Sequence, residues 1–388
     1  MAHIVAFTVS QLAGRDGDYS VTLDDRVNVF FGNNGSGKTS LLKILHAALA
    51  DSTAGLLSVP FVRAEVKIHS EIHNATISRV FDKTPIADYQ EFLKSGVERG
   101  LRRPELALSR LAEIEKNVAW SGEAENRLEG LPHSYLPTTR LYAGFDPYGS
   151  RDFDPRRPTV PETALESNFA MRLESIWQQY YVTVSRRVSR AQAGGLASIL
   201  KLVLASATVQ EDPRPEVDPH TAYKSVDAFL QRQGSPGNLG TEEEFNLRYK
   251  AERNFREVVS DICSVEQQIN EIIRPKDKLQ ALINKLITGR KSISLDDNTI
   301  TVQTLDHRPL GVASLSSGEK QVLRILLEAL LAGANTMIVD EPELSMHIDW
   351  QRELVSALRE LNPECQLVLA THSPEVMVGV DDMQIHKL

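Results

Sequence analysis

Apolar and polar residues alternate through residues 3–10 and again through 19–23, on either side of the turn Gly14-Arg15-Asp16-Gly17, and this predicts a hairpin. Residues 27–31, VNVFF, read as a buried strand, and 40–49 as a helix. Alternation returns in 61–69 and 73–81, a second antiparallel pair. From 88 to 131 the pattern turns helical and charged, and 135–142, YLPTTRLY, is extended with a proline that argues for an edge strand or a loop. Residues 146–161 are rich in Asp, Arg and Pro and read as a loop. One or two long helices follow over 162–207, with Phe169, Leu173, Ile176 and Tyr180 along one face. Proline- and glycine-rich connections occupy 211–220 and 233–240. Thr241 and Glu244 then form a capping box opening a helix whose seam is Phe255, Val258, Ile262, Val265, Ile269 and Ile272. Pro275 is expected to interrupt or kink that helix, which resumes over 276–286. A strand pair over 292–305, an apolar helix over 322–331 and buried strands at 335–340 and 366–370 complete the pattern.

The stretch after the strand at 27–31 changes the picture from architecture to chemistry. Gly32, Asn33, Asn34, Gly35, Ser36, Gly37, Lys38 and Thr39 fit G-x-x-x-x-G-K-[ST] between a strand and a helix, with Ser40 next to them as a further candidate contact. Glycines let successive N–H groups turn inward as an anion nest, Lys38 adds a point charge for the β/γ-phosphates, and Thr39 offers a hydroxyl to Mg²⁺. The helix N-terminus stands behind the phosphates. These residues make ATP and Mg²⁺ the expected ligands.

Composition narrows the class without choosing it. The 388 residues are 41% hydrophobic and 24% charged, ordinary for a globular protein, and the formal net charge of −9 offers no global attraction to nucleic acid or an anionic membrane. The two cysteines, Cys263 and Cys365, suggest neither a disulfide framework nor a zinc site. No run approaches the length of a membrane span, and MAHIVAFTVSQLAG has no basic leader, so the expected location is cytoplasmic with no membrane partner.

Later segments supply the rest of a nucleotide site. Leu315-Ser316-Ser317-Gly318-Glu319 opens a helix; it is either a plain N-cap by Ser316 or Ser317 or a second anion site. Asp340 and Glu341 end a buried strand, where the first carboxylate can hold Mg²⁺ and the second can polarise a water. His372, after the strand at 366–370, is placed to touch a γ-phosphate or is a satisfied structural histidine. Phe7 or Tyr19 could stack on adenine or pack in the sheet, and Arg140 could meet a phosphate or a carboxylate. Arg186, Arg187 and Arg190 form a basic cluster, solvated or in contact with nucleic acid.

LSSGEKQ, MIVDEPELSMH and LVLATHSPE, in this order after GNNGSGKTS, resemble an ATP-binding-cassette-type ATPase head, closer to the chromosome-maintenance, RecF-like and overcoming-lysogenization-defect groups than to transporters. The resemblance implies an α/β P-loop fold with a mixed central sheet, an antiparallel β-subdomain and a helical insertion. It places an N-terminal lobe at 1–87, the insertion at 88–290 and a C-terminal lobe at 291–388. It implies Lys38 and Thr39 as Walker A ligands, Asp340 as the Walker B aspartate, Glu341 as catalytic base, His372 as switch histidine, and Ser316 and Gly318 as signature contacts to a nucleotide held by another head. A homodimer or higher even oligomer is therefore expected.

Two features depart from transporters: LSSGE replaces LSGGQ, and His347 stands where many cassette ATPases have an aspartate. Both resemble phage-defence ATPases. The Q-loop has only Gln90 as a positional candidate. Nucleases of the overcoming-lysogenization-defect family carry a Toprim domain after the ATPase, and the sequence beyond His372 is too short for one. The resemblance thus implies a separate effector, a nuclease or toxin, as in two-component systems such as Septu. The rival expectations are a RecF-like DNA-repair ATPase that clamps nucleic acid and a nucleotide-sensing scaffold that holds a toxin.

Overall fold

The computed structural model describes residues 2–71, 73–84, 119–122, 130–138, 162–204, 217–234, 239–287, 289 and 291–388. Gln90, Arg140 and the loop expected at 146–161 lie outside the described residues. The elements in chain order are β1 (Ala2–Ser10), β2 (Asp18–Thr22), β3 (Val27–Phe31), α1 (Lys38–Ala50), β4 (Arg63–Ser70), β5 (Ala75–Asp82) and β6 (His133–Leu136). Then come α2 (Glu162–Leu204), α3 (Pro219–Arg232), α4 (Glu242–Ala251), α5 (Arg253–Leu286), β7 (Lys291–Leu295), β8 (Ile300–Thr304) and β9 (Pro309–Leu310). The last are α6 (Ser317–Ala332), β10 (Thr336–Asp340), α7 (Ile348–Leu361), β11 (Gln366–Thr371) and β12 (Ile385–Lys387).

The chain divides into two compact units, Met1–Trp177 with Ala281–Leu388, and Gln178–Gln280. In the first, a sheet of order β12-β3-β11-β10-β6 is parallel in every described pairing. A second sheet, β2-β1-β4-β5, is antiparallel throughout. The expected mixture of pairings is thus divided between two sheets of one α/β fold. β10 and β11 are buried at every position, as strands covered on both faces must be, and this explains their unbroken apolar runs. β6 is the edge strand beside β10, and Pro137 follows it where no ladder donor is required.

Gln366 ties the two sheets together. Its side-chain oxygen accepts from Ile4 N at 2.9 Å and Thr336 Oγ1 at 2.9 Å, and its Nε2 donates to Ile4 O at 2.8 Å and Asp24 O at 2.9 Å. A fully partnered amide is the form in which such a group tolerates burial. α1 packs Leu41, Leu42, Ile44, Leu45 and Leu49 into the core between the sheets. Arg79, itself buried, donates to the Ala48 carbonyl near the end of α1 and pairs with Asp51 at 3.4 Å, a cation at the negative end of the helix. Phe7 is buried against Tyr19 and Phe30, so these aromatics serve the core.

The second unit is helical. Ala222, Val226 and Phe229 of α3, Phe245 and Tyr249 of α4, and Val259, Ile262, Val265 and Ile269 of α5 share one apolar cluster. The capping box of Thr241 and Glu244 is present, but the helix it opens ends at Glu252, which is extended (φ −106°, ψ 114°). The seam from Phe255 therefore lies on a separate helix, and that helix runs through Pro275 without a break. Proline removes one ladder donor, and the loss is tolerated here because the fully buried Ile269 and Leu279 fix the helix on either side. Arg186, Arg187 and Arg190 are exposed on α2.

Candidate nucleotide site

The site forms where the strands of the parallel sheet end, the usual position for ligands in such folds. β3 leads into a loop in which Gly35 (φ 83°) and Gly37 (φ 98°) adopt left-handed backbone, and α1 begins at Lys38. The Lys38 ammonium is 5% exposed and curls back over this loop, donating to Gly32 O at 2.8 Å and Asn33 O at 3.2 Å. It also lies 3.6 Å from Glu341 Oε1. Ser36 is buried and its hydroxyl has no hydrogen-bond partner among the described residues, a group suited to an anionic oxygen.

Asp340 ends β10 fully buried, and its Oδ2 accepts from Thr39 Oγ1 at 2.8 Å and from Thr138 Oγ1 at 2.6 Å. The sequence pattern did not mark Thr138. The parallel register of β6 on β10, with Val339 opposite Leu136, carries it to the aspartate. Two hydroxyls and a carboxylate are hard oxygen donors, the type that suits Mg²⁺.

Glu341 takes a left-handed turn (φ 50°), and its amide donates to Ala370 O at 2.8 Å. This turns its carboxylate from the strand toward Lys38 on one side and His372 on the other. His372 Nδ1 hydrogen-bonds Glu341 Oε2, so Nε2 is the ring nitrogen left to meet a ligand. Burial and the neighbouring Glu343 hold the Glu341 carboxyl above the usual glutamate range, against the opposing pull of His372. Glu343, also missed as a site residue, is buried and anchors the loop. Its Oε1 accepts from the backbone N–H of His372 at 2.9 Å and Ser373 at 3.1 Å, and from the Thr371 hydroxyl.

A cavity of about 610 Å³ is lined by Asn34, Gly35, Ser36, Gly37, Lys38, Thr39, Ser40, Thr138, Glu341 and His372, among others. Neither Ser316 nor Gly318 is among its lining residues. Ser316 is exposed at the start of α6, where its hydroxyl accepts from Glu319 N at 3.2 Å and its amide donates to Glu319 Oε2 at 2.6 Å. That is the plain N-cap geometry. Gly318 is required by packing: a Cβ there would stand 2.4 Å from Ser345 O. His347 caps α7 through the Asp349 amide, exposed to solvent.

Residues 209–378 match the family model described as "AAA domain, putative AbiEii toxin, Type IV TA system". The chain is 23% identical over 186 residues to "Retron Vc95 probable ATPase" of Vibrio cholerae serotype O1 biovar El Tor, over 42% of this chain and 36% of that one. It is 28% identical over 89 residues to "Retron Ec83 probable ATPase" of Escherichia coli, over 20% of this chain and 16% of that one. The aligned part is thus well under half the length of either relative. Solved structures with a similar chain include the SMC head domain from Thermotoga maritima (12% identity, 99% of this chain, 94% of that chain, TM-score 0.39). Another is the Smc head of Pyrococcus furiosus bound to the C-terminal domain of ScpA (10% identity, 97% and 91%, TM-score 0.40). The matched family model is described as an AAA domain and both relatives as probable ATPases, and these are what the chain is similar to. No helix among the described residues is long and apolar enough to cross a membrane.

Proposed function

We propose that the chain binds and hydrolyses ATP with Mg²⁺, works as a pair of heads and regulates a separate effector, a nuclease or toxin, in antiviral defence. The observation that carries the proposal is the convergence of Lys38, Thr39, Glu341 and His372 on one cavity from the start of α1 and the ends of β10 and β11, with Asp340 bonded to Thr39 behind it. In this reading Gly32–Ser40 cradle the phosphates, and Lys38 exchanges its loop carbonyls for phosphate oxygens. Thr39 and Asp340 hold the ion, with Thr138 orienting the aspartate. Mg²⁺ there would neutralise phosphate charge. Glu341 accepts a proton from the attacking water, and His372 offers Nε2 to the phosphate that leaves.

Pairing of heads is supported by the position of Ser316, exposed and outside its own chain's cavity. A hydroxyl has one donor and two acceptor sites. The cap uses only acceptance, so Ser316 remains able to donate to a phosphate held by a second copy. Residues 88–290 would carry the opening and closing of the pair to the effector.

Nucleotide binding, steady-state hydrolysis and sedimentation test the reading together. Lys38→Ala should abolish ATP binding; Glu341→Gln should bind ATP, stop hydrolysis and accumulate the paired form. Ser316→Asp keeps a good N-cap while placing a carboxylate against the phosphate, and should lose pairing but not binding. Wild-type turnover in Glu341→Gln would overturn the assignment. The exposed arginines of α2 favour a second reading, clamping of nucleic acid, whose signature is DNA affinity that rises with ATP and falls with salt.

A further inference from the structure

The unit Gln178–Gln280 holds its own cavity, of about 990 Å³, between α3 and the middle of α5. Along α5 its lining steps by threes and fours from Ser260 through Ser264, Gln267, Asn270 and Arg274 to Asp277, one polar stripe on one helix face. At about 1.5 Å per residue the stripe is roughly 26 Å long, the span of about eight residues of extended chain. Four acids line the cavity, Asp261, Glu266, Glu271 and Asp277, against one base, Arg274.

Glu266 distinguishes this groove from a solvated acidic face. It is 2% exposed, yet Oε1 has no hydrogen-bond partner among the described residues. Oε2 lies 3.3 Å from Arg232 Nε, and Arg232 also donates Nη2 to Asn270 Oδ1 at 3.3 Å. Arg232 at the rim thus hydrogen-bonds Asn270 and only ion-pairs with Glu266, and neither oxygen of that buried carboxylate has a hydrogen-bond donor among the described residues. Burial pushes the Glu266 carboxyl above the usual glutamate range while Arg232 opposes it, so a second cation would favour the charged form.

We propose that this groove binds a basic, extended polypeptide segment of a partner protein, with one lysine or arginine side chain donating to Glu266 Oε1. The length of the stripe favours a chain over a small amine, and the sign of the lining excludes a nucleic-acid backbone. The inference deepens the proposed regulation of a separate effector by stating the chemistry of the docking segment.

Cys263 lines the groove and is partly exposed, whereas Cys365 is buried, so thiol modification reports on this place. The probe is acetylated octalysine, added to the whole protein without nucleotide, so that failure of the ATPase reading would not affect the result. Saturating octalysine at low salt should slow N-ethylmaleimide modification of Cys263 at least fivefold. Glu266→Gln and, on the exposed rim, Glu271→Gln should each weaken octalysine at least tenfold with unchanged melting temperature, while Asp382→Asn in the other unit should not. Binding that leaves Cys263 unprotected, or that survives both groove substitutions, would overturn the proposal. Equal protection by spermine or by single-stranded DNA would also overturn it.

Discussion

Thr138 gives its hydroxyl to the same oxygen of Asp340 that Thr39 reaches, at 2.6 Å and 2.8 Å. An acceptor held from two sides has a fixed orientation before any ion arrives. Thr138→Val keeps the volume and removes one donor to a charged acceptor, an interaction of about 1.5–3 kcal/mol. The Mg²⁺ concentration for half-maximal hydrolysis should rise about tenfold, with ATP binding in the absence of Mg²⁺ unchanged. A titration identical to wild type would detach Thr138 from the site.

Glu343 should matter as a positioning residue. Glu343→Ala leaves the His372 and Ser373 amides and the Thr371 hydroxyl without their shared acceptor. Turnover should fall by about 10- to 100-fold, the range for supporting partners of a reactive group. The dissociation constant for ATP, measured by calorimetry, should stay within threefold.

The phosphate loop, Asp340-Glu341 and His372 were legible because each is a local motif whose backbone is dictated by its own glycines, strand and turn. Thr138 and Glu343 were not. Thr138 reaches Asp340 only through the pairing of β6 with β10, a long-range register that a single sequence does not display. Glu343 sits inside the quoted PELSMH string, but its amide partners belong to the end of β11. Pro275 shows the opposite failure: the local rule predicts an interruption, and burial of the residues around it prevails. The break at Glu252 lies in Lys250-Ala251-Glu252-Arg253-Asn254, with no glycine or proline to announce it.

His46 and His133 bring imidazoles to 2.7 Å in the first unit, and His133 Nδ1 meets Leu131 O at 2.8 Å. The carbonyl requires a hydrogen on His133 Nδ1, so the bare Nε2 accepts from His46 Nδ1–H and both rings are neutral. Burial, then the charge of His133, pushes His46 down to about 4 from 6.5, and burial lowers His133 as well. The unfolded chain therefore binds more protons between those values, and stability is lost as pH falls from about 6.5 toward 4. For His46 the difference amounts to about 3 kcal/mol. Urea unfolding at pH 7.5 and pH 5 should show the loss, and His46→Phe should flatten it.

Gln366→Leu should destabilise the protein by about 3 kcal/mol, since it strands the buried Ile4 amide and carbonyl, while the Asp24 carbonyl keeps its bond from Asn28 Nδ2. Chemical denaturation monitored by tryptophan fluorescence measures this. A loss below about 1 kcal/mol would mean that water replaces the amide.

The same glutamine sits at the start of β11, and the groups that line the candidate cavity sit at the far end of that sheet. One edge of the molecule is thus bolted and the other is held by hydroxyls and a single anchored loop. In deuterium oxide the Ile4 amide should exchange among the last, while His372 and Ser373 exchange early and slow down when nucleotide is added. Within this sheet, the slowing of exchange on nucleotide addition should be confined to the unbolted rim.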